Sequence, residues 1–156
     1  MKKGAKIMAN AGPPKVAMQL FNRVVKVLVN LGGGPARFYI LMVQGRKSGK
    51  WYATPVSLVM SASERWLVSP NGEVSWVRNA RTAGQVTLSR GGQRETVSIE
   101  ELGVAERAPI LKKYIQQDAF PRRYFEAKPE APLAAFEVEA GRHPVFRITG
   151  VVDAAA

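Results

Sequence analysis

Two short stretches of the chain carry residue types and spacings that could do chemistry. The first is Gly45-Arg46-Lys47-Ser48-Gly49-Lys50, in which two glycines flank two cations and a hydroxyl and a third cation follows. Glycine lets backbone N–H groups approach a ligand closely. Arginine can fork a phosphate, lysine adds a point charge, and serine donates one more hydrogen bond. The set suits an anionic group held at a strand-to-strand turn; it equally suits a solvated basic hairpin tip. It is not a Walker loop, because the G-x-x-x-x-G-K-[ST] spacing is missing. The second stretch is the turn Ser69-Pro70-Asn71-Gly72, followed by Ser75-Trp76-Val77-Arg78-Asn79. A helix starting there offers free N–H groups and a positive dipole end. Trp76 and Asn79 are three apart and share a helix face. A flat aromatic beside an amide can hold a planar heterocycle; the plainer alternative makes Trp76 a core residue and Asn79 a local cap.

Other chemistries are excluded by composition. The chain has no cysteine, so it has no disulfide, thiolate ligand or cysteine nucleophile, and a reducing compartment is compatible with that. It has one histidine, His143, which rules out histidine-pair metal sites, so no metal is expected. The only aspartates are Asp118 and Asp153, and a Ser-His-Asp triad would need His143 with one of them. No acid–base pair or nucleophile stands out, so no catalytic side chain is assigned. If the chain is an enzyme, a cofactor should carry the reactive chemistry, and hydride transfer fits that gap.

Charge points to an anionic partner. The net charge is +11, and residues 1–50 hold ten of the 23 basic residues and none of the 12 acidic ones. Such a field attracts nucleic acid, an acidic membrane, or a phosphorylated or polycarboxylate ligand. Nucleic acid is not expected, since no binding motif is present and the aromatics are not interleaved with the basic run.

The elements that must position these residues follow from periodicity. At 156 residues and 46% hydrophobic, the chain fits one domain with a real core and is not disordered as a whole. Residues 1–14 read as a flexible basic start, 15–31 as an amphipathic helix and 36–151 as the core of the domain. In the helix, Ala17, Leu20, Phe21, Val24, Val27, Leu28 and Leu31 form the apolar side, and Gly32-Gly33-Gly34-Pro35 stops it. That helix packs on the domain's own core or lies at a membrane surface. Strands are expected over 38–43, 51–60, 66–69, 86–89, 96–102 and 145–151, with Gly91-Gly92 turning a hairpin. Helices are expected over 74–83 and 105–117, residues 120–125 are aromatic and basic, and Pro129 and Pro132 mark a loop. Strands that mostly neighbour one another suggest an α+β, mainly β architecture built on an antiparallel sheet or small barrel. Asn22, Arg23 and Lys26 interrupt the only candidate leader, so neither a secretion signal nor a spanning helix is expected.

GRKSGKWYATPVSLV, then SPNGEVSWVRNARTAG, then HPVFRI, together resemble the deazaflavin-dependent nitroreductase and quinone reductase family over about residues 36–150. The resemblance implies a split β-barrel with an N-terminal helix. It implies coenzyme F420, an 8-hydroxy-5-deazaflavin with a phosphate and a glutamate tail. By position, Arg46, Lys47 and Ser48, with Gly49 and Lys50, should meet the phosphate and tail. Thr54 and Pro55 should line the deazaflavin bed. Ser69, Pro70, Asn71 and Gly72 should close over the ring with Ser75, Trp76, Val77, Arg78 and Asn79. The implied reaction is hydride transfer to a quinone, nitro compound or activated alkene.

The chain departs from the family pattern in places. Tyr52 stands where many members carry arginine, so a tail contact is lost or taken over by Lys50. Ala80 replaces a usual leucine and Gly84 a usual proline. The stretch between Gly72 and Trp76 is shorter than in nitroimidazole-activating members, so substrate preference does not carry over. Phe120, Tyr124 and Phe125, with Tyr114, form either an acceptor pocket or core, Tyr114 being the most core-like.

Alternatives to this reading are an FMN- or tetrapyrrole-binding split barrel and a non-enzymatic basic binder of membrane or nucleic acid. The expected partners are a small-molecule or lipid-quinone acceptor, peripheral membrane contact through residues 1–31, and a second copy in a homodimer. The expected location is cytoplasmic, at the inner face of the membrane if the acceptor is a lipid quinone.

Overall fold

The computed structural model describes residues 22–23, 25–29 and 32–155. Seven strands make one sheet: β1 (Phe38–Gln44), β2 (Trp51–Ser57), β3 (Val59–Met60), β4 (Arg65–Val68), β5 (Gln85–Arg90), β6 (Gln93–Glu101) and β7 (Val145–Ala155). Every pairing is antiparallel, and the order across the sheet is β2-β1-β5-β6-β7-β4-β3. The two edge strands, β2 and β3, are separated in sequence by Leu58 alone. A flat sheet of seven strands cannot join its own edges through one residue, so this sheet must curl into a split barrel. Two register shifts between β6 and β7, at Thr96/Val97 and Ser98/Ile99, add to the curl. The α+β, mainly β barrel expected from the sequence is the fold observed.

Alternation along the strands serves two cores at once. Leu41, Val43, Leu67, Leu88, Val97 and Phe146 fill the barrel. Val68 and Val145, each next to a barrel residue, face the opposite way and join Leu111, Ile115 and Phe136 beneath the helices. Those helices are α2 (Ala108–Gln117) and α3 (Leu133–Glu139); α1 (Ser75–Ala83) covers the barrel from another side through Val77 and Ala80. Gly91 and Gly92 turn the β5–β6 hairpin with φ of +58° and +81°. That is the two-residue geometry glycine adopts without a steric penalty.

Two expectations need correction. The strand expected over 51–60 breaks at Leu58, which is fully buried and donates its N–H to the Arg37 carbonyl where the chain crosses between the sheet's edges. The helix expected over 105–117 begins as a separate 3₁₀ turn, Val104–Glu106. The loop marked by Pro129 and Pro132 is present, and it leads into a helix for which no element was expected, α3, with Pro132 as its N-cap and Phe136 buried. Of the helix expected over 15–31, residues 22–23 and 25–29 are helical; positions 15–21, 24, 30 and 31, and the start 1–14 read as flexible, lie outside the described residues. The described end packs on the barrel, since Val29 is buried and its carbonyl accepts from Gly91 N–H. Val27 and Leu28, expected on the buried side, are 53% and 54% exposed.

Candidate functional site

The β1–β2 hairpin turn is the most tightly specified part of the site. Gly45 donates to the Lys50 carbonyl (2.7 Å) and Gly49 to the Gly45 carbonyl (3.0 Å). A Cβ on Gly45 would sit 2.8 Å from the Tyr52 ring and 2.9 Å from Ser48 Oγ, so a larger residue there would have to displace one of these side chains. Ser48 Oγ accepts from Lys50 N–H at 3.1 Å and lies 3.3 Å from Tyr52 Oη. From α1, Asn79 Oδ1 reaches across and accepts two bonds from Arg46, one from its main-chain N–H (3.0 Å) and one from Nη1 (2.7 Å). Asn79 is thus a cap, as the plainer reading had it, but the cap of a turn 33 residues away. Lys47 and Lys50 have no carboxylate partner among the described residues.

The second turn is closed by Ser69 Oγ donating to the Gly72 carbonyl at 2.6 Å. It is tied from behind by His143, whose Nδ1 lies 2.8 Å from the Pro70 carbonyl and whose Nε2 lies 2.9 Å from Glu139 Oε1. Glu139 is buried; burial pushes its carboxyl up, but bonds from His143 and from Ala127 and Glu126 N–H hold it below the usual carboxylate range. The end of α1 follows the turn, and Trp76 packs 6.0 Å from Phe146 between ring centroids.

Between these turns and α2 runs a cavity of about 980 Å³. Of the residues singled out in sequence, Arg46, Lys47, Ser48, Tyr52, Thr54 and Pro55 line it from the hairpin side. Pro70, Asn71, Ser75, Trp76 and Asn79 line it from the second turn and α1, and Phe120 and Tyr124 from the 3₁₀ turn Phe120–Tyr124. Gly49, Lys50, Ser69 and Gly72 shape the turns without lining the cavity. Val77 is buried in the barrel core, and Arg78 is exposed. Phe125 does not line the cavity; it packs on the second core and stacks on His143 at 4.0 Å and 18°.

Sequence reasoning missed the far end. Asp118 lines the cavity, as do Ser57 and Asn22. Asp118 accepts from Arg37 Nη2 (2.8 Å) and Nε (3.2 Å), Ser57 Oγ (2.6 Å) and Gln117 Nε2 (3.1 Å). Burial pushes its carboxyl up, but Arg37, Ser57 and Gln117 outweigh that and keep it low. These residues come from four separate places in the chain, and no local spacing announces them. Tyr114 is both things the sequence offered, buried in the second core and lining the cavity. Among the described residues no group of three His, Cys, Asp or Glu could hold a metal ion, and no helix is long and apolar enough to cross a membrane.

A search of curated proteins gives no match. Among solved structures, a protein of unknown function from Agrobacterium tumefaciens is similar at 15% identity and a TM-score of 0.53; the match covers 94% of this chain but only 59% of that one. A structure described as an F420-H2 dependent reductase is similar at 22% identity and a TM-score of 0.50, over 73% of this chain and 95% of that one. One described as a domain-swapped dimer has 20% identity and a TM-score of 0.53, over 86% and 96%. These likenesses show the fold. The family is given by the sequence pattern matching residues 15–128, that of the F420H(2)-dependent quinone reductases. The chain belongs to that family of oxidoreductases, whose reductant is reduced coenzyme F420.

Proposed function

We propose that the chain passes a hydride from reduced coenzyme F420 to an electron-poor small molecule (a quinone, nitro compound or activated alkene) inside this cavity. The observation that carries the reading is how the cavity's two ends are furnished. It follows β2 from Tyr52, beside the cationic turn, to Ser57, bonded to Asp118. The five rises between these six strand residues make that run about 16 Å, enough for an elongated coenzyme with an anionic tail at one end.

The residues fit such a group. Arg46 and Lys47 present positive charge to a phosphate and glutamate tail, and Arg46 is already aimed by Asn79. Thr54, Pro55 and Trp76 offer flat, largely apolar surface to a ring system, and Ser75 sits at the positive end of α1. Phe120 and Tyr124 leave an aromatic-walled space for the acceptor. When bound, the reduced coenzyme supplies the hydride; the protein orients the two partners and keeps water from between them.

The test is turnover of reduced coenzyme F420 with 1,4-naphthoquinone, followed by the return of deazaflavin absorbance. Lys47→Ala should weaken coenzyme binding about tenfold at low salt, with a smaller loss at high salt as the charge is screened. Full affinity in that variant would overturn the tail assignment.

Peripheral membrane contact through residues 1–31 belongs to the same reading, because a lipid quinone is reached there. It is supported by the basic start of the chain and by exposed Val27 and Leu28 beside Lys26. Removal of residues 1–31 should abolish partition onto anionic liposomes; unchanged partition would contradict it.

A further inference from the structure

Tyr114 sits in an unusual position for a buried phenol. Its side chain is nearly inaccessible, 6% exposed, and packs against Phe125 with ring centroids 6.5 Å apart. Yet its hydroxyl has no hydrogen-bond partner among the described residues. Buried hydroxyls are almost always paired, because an unpaired one forfeits its bonds to water. The two ionisable groups that act on this hydroxyl are Asp118 and Tyr124, and both line the cavity, as Tyr114 does. The ring therefore packs into the core while its polar end is left for whatever enters beside Phe120 and Tyr124.

Resting on the proposed function above, we propose that the Tyr114 hydroxyl donates a hydrogen bond to the acceptor oxygen on which negative charge develops during reduction. The phenol is suited to donate and not to ionise. Burial, then the Asp118 carboxylate and Tyr124, push its pKa well above the usual tyrosine value. Arg37 offsets the Asp118 charge through its two bonds, so an anion near Tyr114 does not meet an uncompensated carboxylate.

A quinone would take both electrons of a C–H bond of the reduced coenzyme, with the hydrogen, and become the monoanion of its quinol; a solvent proton would complete the quinol, balanced by the proton released to solvent on oxidation of the coenzyme. The Tyr114 proton is shared with the quinol oxygen and not transferred. A donor already placed where charge will appear, in a site of low dielectric, stabilises the transition state more than the ground state. The proposal also restricts the acceptor class, since a molecule without an accepting oxygen at that depth would leave the hydroxyl unpaired.

The test uses the full chain and Tyr114→Phe. With coenzyme F420 bound equally by both proteins, kcat/KM for 1,4-naphthoquinone should fall about a hundredfold in the variant. The thermal midpoint should be equal or higher, because a buried hydroxyl without a protein partner stabilises nothing. A second readout needs no turnover. 4-Nitrophenol, whose phenolate mimics the quinol anion, should ionise more readily when bound to wild type loaded with oxidised coenzyme than when free, and this shift should shrink in the variant. Undiminished kcat/KM, a lowered thermal midpoint, or unshifted 4-nitrophenol on wild type would each overturn the role of Tyr114. Wild type that fails to bind coenzyme F420 at all would instead overturn the reading on which it rests.

Discussion

Asn79 decides how ready the site is for an anion. Its single side-chain oxygen takes two bonds from Arg46 and so fixes both the main chain of the turn and the direction of the guanidinium. Without it, Arg46 would have to be ordered when the ligand binds, which costs affinity. Asn79→Ala should therefore weaken coenzyme F420 binding about tenfold, close to the worth of one charge-assisted bond. A fluorescence titration measures this, and unchanged affinity would show that the turn orders itself. The types and spacings of Arg46, Lys47, Trp76 and Asn79 were legible in the sequence because each cluster is local. The bond between Asn79 and Arg46 was not, and neither was the Arg37–Ser57–Asp118 group, because those contacts exist only once distant strands pair. His143 was legible as a lone histidine but not as the tie between Pro70 and Glu139. One ring nitrogen faces a carbonyl and the other a carboxylate, contacts that exist only in the folded chain.

At the scale of elements, Arg90 at the end of β5 does the work of a clasp. Its guanidinium donates to the carbonyls of Gly32, Gly33, Gly34 and Phe38, the segment that joins the N-terminal helix to β1. Helix ends leave carbonyls without partners, and glycine-rich chain has little else to hold it. Arg90→Ala should raise amide hydrogen exchange in residues 22–34 while the protection of β5 and β6 stays as it was. Equal protection in that segment would show that Val29 alone anchors the helix. Most strands were readable from alternation and from Gly and Pro punctuation. The exceptions have physical causes. Trp51–Met60 is continuous in β-propensity, and only closure of the barrel requires the crossing at Leu58. The helix α3 follows two prolines that read as loop, although proline just before a helix is also a starting signal. Its Phe136 and Glu139, three apart on one face, were the available sign. The N-terminal helix shows the reverse failure. Its periodicity was sound, but Val27 and Leu28 face outward while Val29 is buried, and pattern alone does not say which side a neighbour will cover.

The whole molecule is a sheet whose edges are joined by one residue, and the two carboxylates that brace its far side are both held below their usual range. Glu139 supports the second turn through His143, and Asp118 closes the end of the cavity. A carboxylate with a depressed pKa adds stability that is present above its unfolded value and lost as pH falls through the folded one. The reference values are 4.5 for Glu139 and 3.8 for Asp118, so the acid limb should begin near the first and steepen below the second. The thermal midpoint followed from neutral pH downward should show this fall, and Glu139→Gln should be less stable at neutral pH and flatter in acid. A midpoint in wild type that stays level through that range would contradict the assignment. Whether the barrel's cavity and cationic turn are built for a deazaflavin with an anionic tail is decided by parallel fluorescence titrations with coenzyme F420 and FMN. Saturable binding of coenzyme F420, weakened by salt, and far weaker binding of FMN are expected. Tight binding of FMN with none of coenzyme F420 would contradict it.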